Sequence, residues 1–449
     1  MIFFSKKLFI LFIYIGTVFL VAHKEIFSAA VVLDSIGAVS SGRGGTNIAN
    51  WDNGQLIHDN PASLVNMPPG KRLDIGSHFI YPEIKYEDRQ DSDYLKHTVF
   101  AIPSLSFSYK GHEDSKFAFG FGVYAPAGFG TEYHLKHSVN RRFSPTEISF
   151  GNQLYESDAS LVKMLFATSY RINQKLTIGL SVGPSFQRAG FDTPSTFQTG
   201  RFAGLGILVD LSAKDNFGLS YTSGIQFKVS ERTMIGMSFI SESKATLKGE
   251  TDVVLPGNSP FIRQLFDREA EYDVKSNFEW PRYVGFGILH LVRRSHRFSV
   301  DIVWFNWASA FDRFDLELTD GNNPLFNRTI GETINDEIPL DWEDAFVYRF
   351  GYEYFYQEND KNVFRFGYIF NENPIPDDTL TPLIPGTLKH NFTIGYSHKW
   401  ERLKANFSSQ FSIGDTEFVD NSDIIGGDYD NSAIRTKVYG FLLGLEYEF

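Results

Sequence analysis

Apolar residues alternate with small or charged residues along much of the chain. In "KLTIGLSVGPSF" (residues 175–186), Leu, Ile, Leu and Val occupy alternate positions, and Thr, Gly and Ser lie between them. "FVYRFGYEY" (346–354) and "VFRFGYIF" (363–370) repeat the pattern with aromatic residues on one face and Arg349 or Arg365 on the other. A period of two residues predicts β-strands with one apolar side.

The composition of the two faces indicates which side meets lipid. A soluble sandwich buries interdigitated aliphatic residues and exposes long polar ones, whereas the second face here is rich in Gly and Ser. An aromatic face suits lipid, and a face of small and charged residues suits a water-filled or plugged lumen. Turning Arg349 or Arg365 toward lipid at the bilayer midplane would cost about 2 to 4 kcal/mol each, so the polar side must face inward.

The alternating segments and their connections predict an all-β fold, a 14-stranded antiparallel transmembrane β-barrel. The connections "GHEDS", "INQK", "SER", "RRSH", "QENDK" and "KWER" are short, whereas links such as 129–156 and 310–341 are long. Short periplasmic turns and long outer loops are typical of outer-membrane barrels. About fourteen segments alternate, near 72–82, 100–110, 116–126, 157–172, 175–191, 216–229, 232–248, 278–292, 296–309, 342–356, 361–370, 389–399, 401–412 and 435–449.

Both ends of the chain carry export features. Residues 1–30 are typical of a cleaved signal peptide, with Lys6 and Lys7, an apolar run at 8–22 and small residues at 28–30. That run is shorter than the roughly twenty residues of a membrane-spanning helix. At the other end an alternating strand finishes at Phe449, which resembles the signal read by the barrel assembly machinery. We therefore predict the outer membrane of a Gram-negative bacterium.

Composition excludes several other classes of protein. Cysteine is absent, so neither disulfides nor cysteine metal sites hold the fold. Forty-two Lys and Arg against 54 Asp and Glu give a net charge of −12, which argues against nucleic acid as a partner. After residue 30 no stretch of eighteen apolar residues occurs, and a closed barrel is then the way to satisfy every backbone polar group in a bilayer.

Several motifs occur in order along the chain: "SSGRGGTNIA", Asn60-Pro61-Ala62, "FGFGVYAPAGFGTEY", "LKGETDV", "DWEDAFVYRFGYEYF" and "NENPIPDD" with "PGTLKHNFTIGY". Together they resemble the FadL family of outer-membrane transporters for long-chain fatty acids and other hydrophobic compounds, including aromatic hydrocarbons. The resemblance covers essentially the whole mature chain. After the signal peptide (1–30) it implies an N-terminal hatch or plug (31–70) and a barrel (71–449), and we expect a monomer among lipid and lipopolysaccharide.

The segment 40–67 has neither strand alternation nor a helical apolar stripe. The resemblance implies that it folds inside the barrel as a hatch, and its small residues let the backbone pack closely against the lumen wall. A disordered tail is one alternative, and a phosphate-binding loop at "GRGG" is another, although no Lys-Ser/Thr follows it. The predicted hatch residues are Gly42, Arg43, Gly44, Gly45, Asn60, Pro61 and Ala62.

The third alternating segment is interrupted by Ala125, Pro126, Ala127 and Gly128. Pro126 cannot donate to a strand ladder and Gly128 weakens it. The resemblance implies a kinked third strand through which an apolar substrate leaves sideways into the membrane. Alternatively, Pro126 simply ends the strand at the lipid boundary.

Two apolar loops are candidates for substrate capture. "NSPFIRQLFDREAEYD" (258–273) has the Pro and apolar stripe of a short amphipathic helix, and "GRFAGLGILVDLSA" (200–213) is also apolar. They form either a capture groove, as the resemblance implies, or a lid packed on itself. The candidate residues are Phe202, Leu205, Ile207, Leu208, Phe261, Ile262, Leu265 and Phe266.

The ligand pocket of fatty-acid transporters carries over only in part. An alignment places Ala125, Thr193 and Glu343 where those proteins use a hydroxyl and two basic groups to meet a carboxylate. This departure favours a neutral hydrocarbon or aromatic substrate. The candidate lumen charges are Arg188, Glu343, Arg349 and Arg365.

We predict a transporter, without cofactor or metal, and not an enzyme. His134 and His137 with Glu132 do not match a ligand spacing, and the acidic stretch 415–431 lacks EF-hand order. Scattered catalytic partners would not show in a sequence. A general diffusion porin and a surface adhesin with long acidic loops are the alternatives.

Overall fold

The computed structural model describes residues 31–96, 99–139, 148–200, 203–254, 269–426 and 429–449. The predicted signal peptide, residues 1–30, lies outside these ranges. Among the described residues, no helix combines the length and the apolar character needed to cross a membrane.

Fourteen antiparallel strands form a closed barrel, as predicted. The barrel closes because the first strand pairs with the last, from Arg72 opposite Glu448 to Glu87 opposite Ala433. The uninterrupted strands are β1 (Gly70–Glu87), β3 (Phe117–Val139), β4 (Ile148–Arg171), β5 (Leu176–Thr196), β6 (Gly206–Ser230), β11 (Asn362–Asn371), β12 (His390–Trp400), β13 (Leu403–Val419) and β14 (Ser432–Glu448). Each of the other five strands consists of two segments: β2 (Ser92–Tyr94, Phe100–Lys110), β7 (Thr233–Ile240, Ser243–Val254), β8 (Glu269–Trp280, Tyr283–Val292), β9 (His296–Phe305, Arg313–Thr319) and β10 (Ile334–Pro339, Ala345–Phe355).

The two faces of the wall have the predicted composition. Phe217 and Phe366 on the outer face are 69% and 52% exposed. Ser181 on the inner face is fully buried. Arg349 and Arg365 are also buried, so their guanidinium groups face the lumen while the aromatic residues beside them face outward.

Several strands are longer at the outer end than the sequence indicates. The predicted loop 129–156 contributes its ends to β3 and β4, which run to Val139 and from Ile148. Within the predicted loop 310–341, the segments Arg313–Thr319 and Ile334–Pro339 pair with each other. These extensions alternate weakly because charged residues such as Glu132 and Glu156 occupy their outer face.

The N-terminal residues fold inside the barrel and contact opposite walls. Helix α1 (Ala38–Gly42) packs on β11 to β14, and a 3₁₀ helix (Pro61–Asn66) packs on β3 to β6. Helix α2 (Leu56–Asp59) joins them. The remaining helices in the described ranges are short and lie between strand segments, at Trp307–Ala310 (α3) and Pro324–Thr329 (α4), with 3₁₀ turns at Tyr356–Glu358 and Asp377–Thr379.

The outward position of Phe366 in the middle of β11 supplies a test of this orientation. Replacing Phe366 by Arg places a charge in lipid, so we expect the free energy of unfolding in bilayers to fall by about 2 to 4 kcal/mol. Phe366→Leu is the matched control, because it keeps an apolar outer face. Denaturant titrations of both variants refolded into vesicles measure the difference, and equal stability would contradict the assignment of faces.

Candidate functional site

A buried network of ions fixes the hatch to the barrel wall. Asp52 accepts hydrogen bonds from Arg43 in the hatch and Arg297 on β9, both at 2.5 Å. Glu353 on β10 is fully buried and pairs with Arg297 and, at 2.8 Å, with Arg365 on β11. Burial alone would raise the pKa of Asp52, but Arg43 and Arg297 hold it well below its ordinary value. The carboxylate is therefore charged, and it links the hatch to the wall.

The turn after Arg43 fits closely against β11. Gly44 and Gly45 have φ of 66° and 68°, in the left-handed region that favours glycine. A Cβ on Gly367 would overlap the backbone nitrogen of Gly44, so the wall also needs a glycine here. The N–H of Gly44 donates to Thr393 Oγ1 at 3.1 Å. Gly42 lies at the end of α1, packed against the wall.

Asn60, Pro61 and Ala62 hold the other end of the hatch. The Asn60 side chain accepts from the N–H of Ala62 at 3.2 Å and donates to the carbonyl of Ile48 at 2.7 Å. Pro61 begins the 3₁₀ helix, where a missing N–H costs nothing. All seven predicted hatch residues thus lie inside the barrel.

A gap in hydrogen bonding follows Val123 on β3. The ladder between β2 and β3 runs from Lys110 opposite Ala118 to Leu105 opposite Val123 and ends there. On the other side of β3, the pairing with β4 shifts between Tyr124 and Ala127, which is a β-bulge. Because β3 nevertheless continues, the alternative that Pro126 ends the strand is wrong.

The first described residues cover this gap from the inside. The N–H of Leu33 donates to the carbonyl of Pro126 at 2.9 Å, and the N–H of Gly128 donates to the carbonyl of Val31 at 3.1 Å. Val32 lies directly opposite Ala127 in an isolated antiparallel bridge. Residues 31–33 therefore act as a short substitute strand, and Ala125, Pro126 and Ala127 are buried.

An outer cavity lies above the hatch among the extracellular ends of the strands, with about 1130 Å³ of atom-free space that is partly open to solvent. Its lining is mostly apolar and aromatic, and Thr193 contributes a hydroxyl that already donates to the carbonyl of Pro194 at 3.0 Å. Charged side chains on its lining are Glu279 and Arg313. The apolar lining includes Phe191, Phe278, Phe311, Phe314, Leu383, Ile384 and Ile424.

Some of the predicted capture residues lie in or beside a strand, and the others lie outside the described ranges. Ile207 and Leu208 belong to β6 and not to a loop, because residues 206–213 pair with β5 and β7. Leu205, just before the strand, packs on the core, and the nearby Val209 and Leu211 line the outer cavity. The remaining predicted capture residues lie outside the described ranges, namely Phe202, Phe261, Ile262, Leu265 and Phe266.

An inner cavity lies beside the N-terminal segment, with about 590 Å³ of atom-free space that is partly open to solvent. Residues 31–34, Trp307, Trp342 and Arg349 line it. Its two Trp rings have centroids 5.0 Å apart, and Trp342 stacks on Phe311 of the outer cavity at 4.6 Å. An aromatic cluster of packed rings therefore lies between the outer cavity and the inner one, and the inner cavity is also lined by the residues that cover the gap.

The four predicted lumen charges have different environments. Arg349 lines the inner cavity, and Arg365 belongs to the ion network. Glu343 is exposed, and its neighbour Trp342 is the residue that lines the cavity. The prediction that Arg188 is a lumen cation is wrong, since Arg188 alternates with the buried Gln187 and Ala189 and pairs with Asp158 at 2.6 Å.

Sequence reasoning missed the partners of the ion network and the aromatic cluster. Asp52, Arg297 and Glu353 come from distant parts of the chain, and no local pattern joins them. The aromatic cluster had a signal, because "WFNWASAF" (304–311) breaks the alternation of β9 with large rings at positions that a strand does not need. Ala125 lines a small recess near the gap. Its methyl side chain cannot bind a carboxylate as the aligned residue of the fatty-acid transporters does.

A closed barrel with an internal hatch and two cavities is the architecture of outer-membrane channels. Residues 19–449 match the family described as "Outer membrane protein transport protein (OMPP1/FadL/TodX)", and the chain belongs to it. Membership identifies an outer-membrane transport protein rather than an enzyme. Among curated proteins, none matches the chain in sequence.

Solved structures share the fold over almost the whole chain. A Pseudomonas aeruginosa FadL homologue has a TM-score of 0.74 at 15% identity and covers 94% of this chain and 100% of its own. The Ralstonia pickettii toluene transporter TbuX has a TM-score of 0.70 at 20% identity, with 93% and 99% covered. The Pseudomonas putida toluene transporter TodX has a TM-score of 0.70 at 18% identity, with 95% and 100% covered.

Asp52→Asn tests whether the ion network holds the hatch. The change removes one of the two carboxylates that Arg43 and Arg297 share, the other being Glu353, and breaking a buried pair costs about 3 to 5 kcal/mol. We expect the free energy of local opening of residues 38–66 to fall by this amount while the barrel remains folded. Hydrogen exchange followed by mass spectrometry measures the opening.

The control for this variant is Asp360→Asn, which removes the exposed partner of Lys399, 3.4 Å away. Exposed pairs contribute little to stability. If Asp52→Asn exchanges no faster than this control, the network does not anchor the hatch.

Proposed function

We propose that the protein takes up small neutral hydrophobic compounds across the outer membrane. Compounds bind in the outer cavity, pass along the aromatic cluster to the inner cavity and leave sideways between β2 and β3. The observation that carries the proposal is the arrangement of three features: an apolar outer cavity, an aromatic cluster between it and the inner cavity, and a gap in the wall that residues 31–33 cover.

The lining of the outer cavity supports a neutral substrate. Most of its side chains are apolar, and its charges include both Glu279 and Arg313 rather than a cluster of cations. Concave sites with few polar groups suit small apolar ligands. The names of two structural neighbours, toluene transporters, agree with this substrate class.

A lateral exit avoids the cost of releasing an apolar compound into water. Each CH₂ group gains about 0.8 kcal/mol by leaving water, so a path that stays apolar removes most of the barrier to release. The outward face of β3 before the gap is already lipid-facing, as Phe117 and Phe119 at the start of this strand are exposed. Diffusion down a gradient supplies the driving force, and residues 31–33 must separate from Pro126 and Gly128 for the exit to open.

Ile384→Glu tests the role of the outer cavity. The side chain lines that cavity and is partly buried, so a carboxylate there imposes a desolvation cost on any apolar ligand. We expect the initial rate of toluene uptake by Gram-negative host cells that express the variant to fall by about tenfold. Leu325→Glu, at an exposed position of α4 away from the cavity lining, should retain wild-type uptake. Equal uptake by the two variants would refute capture at this cavity.

A disulfide between residues 32 and 127 tests the lateral exit. Directly opposed antiparallel residues have Cα atoms about 4.5 to 5.5 Å apart, within the range that a disulfide spans. The chain has no cysteine, so Val32→Cys with Ala127→Cys forms a single defined bond. Oxidation should reduce toluene uptake to the level of host cells without the protein, and reduction should restore it.

Each single cysteine variant serves as a control for the disulfide, because neither can form it. Both should transport under oxidising and reducing conditions alike. Undiminished uptake by the oxidised double variant would mean that substrate leaves without separation of residue 32 from β3.

A further inference from the structure

The inner cavity has a polar end whose hydrogen-bonding groups are incompletely used. Arg349 is 92% buried, since its exposed fraction is 8%. Its Nη1 donates to the carbonyl of Gly45 at 3.3 Å, whereas its Nε has no hydrogen-bond partner among the described residues. The side-chain oxygen of Asn371, on the same lining, is buried and also lacks a partner within the described chain. A donor and an acceptor are therefore both left for a ligand.

The rest of the cavity is an aromatic and aliphatic box. Trp307 and Trp342 contribute two indole rings, and Phe305, Val347 and Leu388 are among the other apolar residues of the lining. Glu372 also lines the cavity, and its carboxyl group accepts hydrogen bonds from the N–H of Phe346 and the hydroxyl of Tyr348. Aromatic pairs prefer offset or tilted arrangements, and a ligand ring fits the same preferences against the two indoles. The cavity thus suits a ring that carries one polar group.

The charge around Arg349 distinguishes a neutral ligand from an anionic one. The carboxyl groups of Asp34, Asp59 and Asp301 all interact electrostatically with this guanidinium. Asp301 in addition accepts from the N–H groups of Asn47 and Ile48 in the hatch. A ligand carboxylate would meet three acidic groups and would have to lose its hydration, so the positive charge of Arg349 is no net attraction for it.

A hydroxyl group matches the two unpaired atoms. It is both a donor and an acceptor, so it can accept from Nε of Arg349 and donate to the side-chain oxygen of Asn371. A ligand without oxygen leaves both atoms unsatisfied, which a buried site penalises.

We propose that the inner cavity is a binding site for neutral hydroxylated aromatic compounds, with the ring against Trp307 and Trp342 and the hydroxyl on Arg349 and Asn371. The assignment rests on the proposed function, because it names a substrate class for the same channel. It extends that class from plain hydrocarbons to phenol-like molecules.

Equilibrium dialysis of the purified full chain in detergent tests the site with three radiolabelled probes of similar ring size, toluene, p-cresol and p-toluate. Micelles without protein give the background for each probe. Arg349→Met should weaken the binding of p-cresol by about tenfold, the effect of one charge-assisted hydrogen bond, and change toluene by less than about twofold. The wild type should bind p-toluate more weakly than p-cresol.

Two further variants make the test decisive. Asn371→Leu removes the acceptor without touching the hatch contact of Arg349, and it should also weaken p-cresol selectively. Arg188→Met is the matched control, because it makes the same chemical change on the outer face, and it should leave all three probes unchanged.

The outcomes separate this inference from the function on which it rests. Selective loss of p-cresol binding in Arg349→Met and Asn371→Leu supports the site. Equal effects on p-cresol and toluene, or no effect, overturn the hydroxyl site while uptake of hydrocarbons stands. Tighter binding of p-toluate than of p-cresol also overturns it. A wild type that binds neither toluene nor p-cresol above the micelle background overturns the proposed function as well.

Discussion

The structure depends on the need to pair every backbone N–H and C=O group that lies within the membrane. Antiparallel strand ladders meet this need over much of the described barrel, and the ladder between β2 and β3 is interrupted beside Pro126. Residues 31–33 supply the missing partners from inside. The same residues line the inner cavity, so a ligand bound there would contact the segment that seals the wall.

The hatch and the residues that precede it are held by forces of different size. Arg43 and Asp52 belong to a buried network with three wall strands, which breaks only at high cost. Residues 31–33 are held by two backbone hydrogen bonds and by apolar contacts among the described residues. Segments with fewer and weaker contacts open at lower free energy than their surroundings. The lumen can therefore stay occluded while the lateral seal opens.

Local alternation was sufficient to predict the barrel, the strand count and the inward orientation of Arg365, because those features repeat every two residues. It also places Arg188 on the side of Phe186, so assigning Arg188 to the lumen contradicted the pattern itself. The pairing of Arg43 with Glu353 could not be predicted, since it joins residues about three hundred positions apart through a register that only the closed barrel defines. The same holds for the cavities, whose lining comes from many strands. The break at Pro126 was visible in sequence, whereas its covering by residues 31–33 was not.

An occluded lumen with an apolar side path distinguishes this account from a general diffusion porin, which needs a continuous column of water. Single-channel recording of the purified protein in planar bilayers is the most direct test. We predict no steady open level, because the hatch is fixed across the lumen by the network around Asp52. A stable conductance on the nanosiemens scale would contradict the account, since ions would then be crossing a lumen that the structure fills.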